Sequence, residues 1–337
     1  MTVPNSLHAV LLFLRRNIID ALGVCAALFK IMIPVMILMK ILQELGLVAE
    51  LGHYMAPLMQ LFGLPGSVGL VWATALLTNL YAAAIVLITL LPETPLTSAQ
   101  VTVIATMMLI AHGLPVELSI ARRSGARIRT QFLIRMIAAM LCGWLLYMIY
   151  AGLNWGTGFV QPAWIPDAPP SGLPAWVLRE IRNLAGIATI VLVMLMLLDI
   201  LKRLGITDLM IRLLSPVFNS MGIGREAGTI TIVGVTLGLS YGGGLIIHEA
   251  RSGRIPAKDV FLALTFMGLC HALIEDTLLM LLLGADLGGI LLARMAFSLA
   301  FLWVLSRIVA RLSESTINGL LFRQDAVQRK PPPFFSV

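Results

Sequence analysis

An internal repeat is the feature of this 337-residue chain that most restricts its fold. When residues 40–140 are moved forward by 159 positions, nineteen of them meet an identical residue. The first members of these pairs include Ile41, Leu42, Leu45, Gly46, Pro57, Gly63, Gly69, Val101, Met108, His112, Gly125, Ala126, Arg135 and Met136. Two homologous apolar halves are the plan of many membrane transporters, which place their ligand site at the interface between the halves. The matched pair His112 and His271 is therefore the first candidate for such a site.

The composition predicts an all-α polytopic membrane protein. Hydrophobic residues make up 59% of the chain, charged residues make up 12%, and the mean hydropathy is +0.94. Several apolar stretches are long enough to cross a bilayer as helices. The formal net charge of +7 comes from Lys and Arg between these stretches, so it reports orientation rather than nucleic-acid binding. The three scattered cysteines predict neither a disulfide framework nor a cysteine zinc site.

The charges of the loops predict that the two halves have opposite orientations. In the first half Glu44, Glu50 and Glu93 mark the first two loops, and a basic loop follows residue 121. In the second half the order is reversed, and its early bases are Lys202, Arg203, Arg212, Arg225, Arg251, Arg254 and Lys258. By the positive-inside rule the repeats are inverted, with both termini cytoplasmic in a bacterial inner membrane. Arg179 and Arg182 oppose this orientation.

Inverted repeats require an odd number of crossings in each half, and each half has four hydrophobic segments. We therefore expect about three crossing helices per half plus a re-entrant helical hairpin, at 66–91 and at 225–247. A small or polar tip in the middle of each hairpin breaks the helix. The tips supply candidate substrate-binding or ion-binding residues, which are Asn79, Tyr81, Ser240, Tyr241 and Gly243. The alternative is that both segments cross fully and that their small residues serve close helix packing.

A histidine followed by carboxylates occurs at membrane depth in both halves. Residues 112–117 read HGLPVE, and residues 271–276 read HALIED. Pro115 lacks an amide N–H and Gly113 weakens the same turn, so an interrupted helix is expected after His112. In the second copy His271 and Glu275 are spaced i,i+4, which predicts that both project from one face of a helix.

Carboxylates inside a membrane are costly, so they normally face a cavity or a partner. Glu117, Glu275 and Asp276 therefore join His112 and His271 as candidate substrate-binding or ion-binding residues. If the repeats are inverted, the two histidines are expected to approach each other in the central third of the membrane. The alternative is a structural His–Glu pair that holds the halves together.

These motifs, together with the stretch GLSYGGGLIIHEARSGRI, resemble those of the nucleoside-recognition, or Gate, membrane proteins. That family is similar to the Gate regions of concentrative nucleoside transporters and of the ferrous-iron transporter B family. The resemblance covers about residues 30–310 and implies two Gate copies, with re-entrant hairpins and interrupted helices around a central site. The chain contains neither GxxxxGKS nor GxxxxGKT, so it lacks the GTPase motif of a nucleotide-driven iron transporter.

Three functions are compatible with these residues. The first is a transporter or permease for a small polar solute, nucleoside-like or organic, coupled to ions or protons through the membrane-embedded histidines and carboxylates. The second is a pathway for a divalent metal ion of the iron or zinc class, with His112, His271 and Glu275 as ligands. The third is a membrane accessory protein without transport of its own. No nucleophile elbow or HExxH motif indicates an enzyme, and no cofactor is expected.

The predicted organisation has four parts. They are a first Gate-type repeat at 18–151, a linker at 152–175, a second Gate-type repeat at 176–311 and a disordered tail at 312–337. The expected partners are a small solute or cation and the lipid bilayer, with no nucleic acid. A homo-oligomer is compatible with this organisation.

The orientation can be tested by cysteine labelling in intact cells after the native cysteines are replaced. Thr94→Cys is expected to react with an impermeant maleimide from outside, whereas Ser124→Cys and Ser252→Cys are expected to be protected. External labelling of Ser124→Cys would overturn the predicted orientation. Labelling of Thr94→Cys and Gly66→Cys from opposite sides would show that 66–91 crosses the membrane.

Overall fold

The structure, a computed structural model, describes residues 6–160, 172–237, 246–250, 252 and 254–322. In these ranges the chain is helical, and its only extended pairings are two isolated bridges, Thr97 to Phe159 and Ala126 to Phe322. The helices are α1 (Ser6–Glu44), α2 (Leu47–Gln60), α3 (Val68–Leu77), α4 (Leu80–Leu90), α5 (Ser98–Ile110), α6 (Leu114–Arg123), α7 (Ile128–Leu153), α8 (Leu173–Arg203), α9 (Ile206–Ser220), α10 (Arg225–Leu237), α11 (Ala257–Cys270), α12 (Glu275–Leu282) and α13 (Arg294–Ala310). A π-helical segment, Gly288–Ala293, leads into α13, and a second π-helical segment spans Ile317–Leu321.

Among the described residues, six helical segments are long and apolar enough to cross a membrane. They are Leu11–Glu44, Ser98–Arg123, Ile128–Leu153, Leu173–Leu201, Ala257–Leu282 and Gly288–Ala310. Three of them lie in each half of the sequence, which is the number that the charge pattern predicts. The prediction of an all-α polytopic membrane protein is confirmed.

The first predicted hairpin is broken into two short helices. The helices α3 and α4 have 10 and 11 residues, and they pack against each other. At about 1.5 Å of rise per residue, each covers only about half of a hydrocarbon core of about 30 Å. Asn79 has an extended backbone at the break, and its side chain accepts a hydrogen bond from the amide of Ala82. Asn79 therefore starts α4 as a helix N-cap.

The second predicted hairpin begins with α10, which ends at Leu237. Its predicted tip, with Ser240, Tyr241 and Gly243, lies in 238–245, outside the described residues. The roles given to these three residues stay a prediction.

The chain forms two compact units, and each unit draws segments from both halves of the sequence. The first unit comprises Met1–Ile104, Tyr147–Ile206 and Ile274–Asp286. Inside it, α1 packs on α8 and α4, and α2 packs on α3. The second unit comprises Ala105–Leu146, Thr207–Leu273 and Leu287–Val337. Inside it, α10 and α13 both pack on α11. The predicted division into repeats at 18–151 and 176–311 stays a prediction.

Part of the segment 312–337, which is predicted to be disordered, is helical: Glu314–Thr316 and Ile317–Leu321 form helical turns. For residues 323–337, which lie outside the described ranges, the prediction stays a prediction. The amide of Arg127 donates to the carbonyl of Leu321 over 2.9 Å, and Thr130 Oγ1 donates to the carbonyl of Leu320 over 2.6 Å. These hydrogen bonds fix the two helical turns to the start of α7. The composition of the tail gives no sign of such bonds.

Gly66, in the turn before α3, lies in close contact with α2, and this contact predicts the effect of a substitution on stability. A methyl group on Gly66 would overlap the carbonyl oxygen of Gly52 and lie 3.0 Å from the Cα of Ala56. Because backbone atoms cannot move aside cheaply, we expect Gly66→Ala to destabilise the protein by about 1–3 kcal/mol. Thermal unfolding of the purified protein measures this change. The control is Gly23→Ala, since Gly23 lies within α1 and a methyl group there meets nothing within 4 Å.

Candidate functional site

His112 lies at the helix break in the first half. The helix α5 ends at Ile110, and α6 begins at Leu114 with Pro115 in its first turn. Gly113 adopts the left-handed conformation with φ 54°, which favours glycine. The predicted interruption after His112 is therefore observed. The Nδ1 of His112 bonds the carbonyl of Met108 at 2.8 Å, so the histidine caps the helix that it leaves.

The helix break in the second half repeats this arrangement 159 residues later. The helix α11 ends at Cys270, and His271 Nδ1 bonds the carbonyl of Met267 at 2.8 Å. His271 is extended and Ala272 has φ 44°, so no helix runs from His271 to Glu275. The prediction that these two residues share one helical face is wrong. The reason is a chain reversal at an alanine, a residue that rarely adopts positive φ.

Three polar side chains converge inside the second compact unit. The Nε2 atoms of His112 and His271 are 3.2 Å apart. Glu117 Oε1 lies 3.4 Å from each of them. The three side chains are only 6–10% exposed. We call these three residues the His-His-Glu cluster; among the described residues, they are the group of histidine, cysteine and carboxylate side chains whose geometry suits a metal ion.

The hydrogen bonds to the backbone fix the chemistry of the two imidazoles. A carbonyl oxygen can only accept, so Nδ1 of each ring carries a proton. Nε2 of a neutral ring then carries a lone pair that points away from the helix end. Two such lone pairs and a carboxylate oxygen would repel one another at these distances. A proton or a metal cation among them converts the repulsion into attraction.

The distances match those between the ligands of a tetrahedral metal ion. Bonds of about 2.0–2.1 Å to nitrogen or oxygen place two tetrahedral ligands about 3.3–3.4 Å apart. The three observed separations are 3.2, 3.4 and 3.4 Å. Both histidines also have the outer hydrogen bond from the second ring nitrogen that metal-binding histidines need for orientation.

Arg135 on α7 holds this arrangement together. Its Nη1 forms an ion pair with Glu117 Oε2, its Nε donates to the carbonyl of Ile110 over 3.0 Å, and its Nη2 donates to the carbonyl of His112 over 3.3 Å. The stem of Arg135 passes beside Gly268, where a Cβ would lie 3.2 Å from the arginine Cδ. Arg135 therefore neutralises Glu117 and bonds carbonyls at the end of α5, which a helix end leaves unpaired.

Arg135 was not among the predicted site residues, although the sequence contains a signal for it. An arginine in an apolar membrane helix is costly and needs a partner. Arg135 is moreover one of the residues that the repeat matches, with Arg294 in the second half. The cost of a charged side chain inside the membrane, together with the matched position in the repeat, would have identified Arg135 as a candidate.

Arg294 differs from its counterpart. It is fully buried, and none of its guanidinium nitrogens makes a well-formed hydrogen bond to any residue that the structure describes. The thiol of Cys270 lies close to the Arg294 guanidinium and to the hydroxyl of Ser298, within the second unit. The two matched arginines are therefore in unequal environments.

The remaining predicted residues lie in the first compact unit or outside the described residues. In the first unit, Tyr81 donates to Glu275 Oε1 over 2.9 Å, which ties α4 to α12. Asn79 is the N-cap of α4, and Asp276 is buried in the first turn of α12. Within the second unit, the carboxylate beside His112 and His271 belongs to Glu117. The metal-binding role predicted for Glu275 stays a prediction.

Comparison with known proteins agrees with the resemblance for part of the chain. Residues 25–124 match the family model Gate, which is described as nucleoside recognition. The chain is also 28% identical over 273 residues to the uncharacterized membrane protein YvoD of Bacillus subtilis (strain 168), over 79% of this chain and 85% of that protein. No solved structure matches. The chain is thus a membrane protein in which residues 25–124, a range that includes His112 and Glu117, match the Gate family model. A second Gate copy and the kinship with named transporters stay predictions.

Because the two arginines have different surroundings, we expect Arg135→Met and Arg294→Met to have different effects on stability. Arg135→Met leaves Glu117 buried without its cation, which typically costs about 3–5 kcal/mol, so the unfolding temperature should fall. Arg294→Met removes a buried charge that lacks a carboxylate among the described residues, so the unfolding temperature should stay or rise. Thermal unfolding of both variants in one detergent measures the difference. An equal fall in both would show that Arg294 has a partner of comparable strength.

Proposed function

We propose that this Gate-domain membrane protein forms a pathway for a divalent transition-metal ion, with His112, Glu117 and His271 as ligands. The observation that carries the proposal is the triangle of 3.2, 3.4 and 3.4 Å between their ligand atoms. A general role in membrane transport agrees with the Gate domain and the membrane-protein relative.

The donor set favours particular ions. Two imidazole nitrogens and one carboxylate oxygen suit Zn(II), Fe(II) or Mn(II), whereas Ca(II) and Mg(II) prefer oxygen ligands alone. Three protein ligands leave a fourth tetrahedral position open, as in metal sites that exchange their fourth ligand. An ion that must enter and leave requires such an open position.

The charge balance favours a transient ion over a permanent one. The charges of Glu117 and Arg135 cancel, so a divalent ion between neutral imidazoles leaves a local charge of about +2. Such a charge is costly where little water is present. A pathway needs binding strong enough for entry and weak enough for release, which this balance supports.

The position of the histidines along their helices supports a site near mid-membrane. Ser98–Arg123 and Ala257–Leu282 are each 26 residues long, and each histidine lies fourteen residues after the first. Each histidine is thus close to the middle of its candidate span. The inner-membrane location and cytoplasmic termini that the charge pattern predicts complete the proposed topology.

Metal titration of the purified protein tests the proposal. Calorimetry with Zn(II) and Mn(II), and with Fe(II) under anaerobic conditions, should show one ion per chain. His112→Ala and His271→Ala should weaken binding by more than about 100-fold, since even an outer-shell partner is worth about 10–100-fold. Glu117→Gln should weaken binding as well. Glu275→Gln is the matched control, because Glu275 bonds Tyr81 in the first unit and should leave metal affinity unchanged.

A second function, a carrier for a small polar solute coupled to protons, is favoured by one specific observation. A single proton shared by His112 and His271 would satisfy the same triangle, because the Glu117–Arg135 pair is already neutral. Uptake by proteoliposomes separates the functions. Saturable uptake of a metal ion that His271→Ala abolishes supports the first. No metal binding in any condition, together with proton-driven solute uptake that needs both histidines, would replace it with the second.

A further inference from the structure

A cavity of about 220 Å³ lies in the first compact unit, where α1 and α4 end and α8 begins. Its wall includes two cations, Lys40 and Arg179, and two carboxylates, Glu44 and Glu93, with Trp176 beside them. Glu44 is the last residue of one candidate span, and Trp176 is the fourth residue of another. The cavity therefore lies at one membrane surface, where tryptophan is enriched.

Internal ion pairs hold the cations of this cavity in place. Lys40 Nζ is 3.0 Å from Glu44 Oε1. Arg179 donates from Nε and Nη2 to Glu180 Oε1 over 3.1 and 3.0 Å, and Asn183 donates to Glu180 Oε2 over 2.9 Å. A guanidinium has five N–H donors, so these two bonds leave donors for a further anion. The Arg179 side chain is only 17% exposed, which limits its freedom before a ligand arrives.

The charge pattern fits a zwitterion better than a simple ion. A phosphate would be attracted by Lys40 and Arg179 and repelled by Glu44 and Glu93, and an ammonium group would experience the reverse. A ligand with both groups a few ångströms apart satisfies both pairs of side chains. Phosphoethanolamine is such a ligand, and its size suits a cavity of about 220 Å³.

The surface beside the cavity indicates that this group belongs to a lipid. On α1, Ile37, Leu38 and Ile41, which lie near Lys40 in the sequence, are 47%, 54% and 48% exposed. On α8, Leu178 and Ile181 are 51% and 57% exposed on either side of Arg179. Acyl chains can cover these apolar side chains while the polar headgroup enters the cavity.

We propose that the cavity of Lys40, Glu44, Glu93, Trp176 and Arg179 binds the headgroup of a phosphatidylethanolamine lipid. Lys40 and Arg179 bind its phosphate, and Glu93 with Glu44 binds its ammonium group. The site is separate from the His-His-Glu cluster and does not depend on metal binding there.

Native mass spectrometry and thermal unfolding of the full-length protein with defined lipids test this site. Phosphatidylethanolamine should bind and raise the unfolding temperature, whereas phosphatidylglycerol, which lacks the ammonium group, should do neither at the same concentration. Glu93→Gln and Lys40→Gln should each weaken binding by about tenfold, the effect of one lost hydrogen bond to a charged group. Arg182→Gln is the control, since Arg182 is an exposed cation on α8 that does not line the cavity.

Three results would overturn the proposal. Equal binding of phosphatidylglycerol would show that the ammonium group is not recognised. Equal loss in Arg182→Gln would show that surface charge alone attracts the lipid. If water-soluble O-phosphoethanolamine binds as tightly as the lipid, the natural ligand is a soluble zwitterion. Metal titration of Glu93→Gln should match that of the unchanged protein, which separates this test from the one above.

Discussion

Backbone carbonyls at helix ends within a membrane cannot rely on water for their hydrogen bonds, and the structure depends on how this chain satisfies them. Both interrupted helices end beside a histidine whose Nδ1 bonds the carbonyl four residues earlier. That bond stabilises the helix end and also directs Nε2 away from the backbone. The hydrogen bond that stabilises each helix end therefore also orients the ring nitrogen that can bind a cation. His112 and His271 thus have both a structural and a chemical role.

The repeat is symmetric in its histidines and asymmetric in its charges. In the first half Arg135 pairs with Glu117 and bonds two backbone carbonyls, whereas Arg294 at the matched position makes no such bond among the described residues. The cluster thus has one carboxylate, and that carboxylate is already neutralised. The pathway that we propose requires a site that binds a cation without retaining it, and this charge balance agrees with that requirement.

Patterns with a local physical cause could be predicted from the sequence. The repeat and the apolar segments predict six crossing helices, and Gly113 with Pro115 predicts the break after His112. The second break could not be placed, because Ala272 at φ 44° has neither glycine nor proline to indicate it. Spacing along an assumed helix placed Glu275 on one face with His271, but the break separates them. The proximity of Glu117 to both histidines depends on tertiary structure and could not be read from the sequence.

X-ray absorption of the zinc-loaded protein measures the central claim most directly, because it reports the atoms around the metal. We expect nitrogen and oxygen neighbours at about 2.0–2.1 Å with the outer-shell pattern of two imidazoles, and no sulfur. Glu117→Gln should change the oxygen contribution, and Glu275→Gln should leave the spectrum unchanged. A sulfur neighbour at about 2.3 Å would assign the metal to a cysteine such as Cys270 instead. A spectrum with fewer than two imidazoles would contradict the His-His-Glu cluster as the binding site.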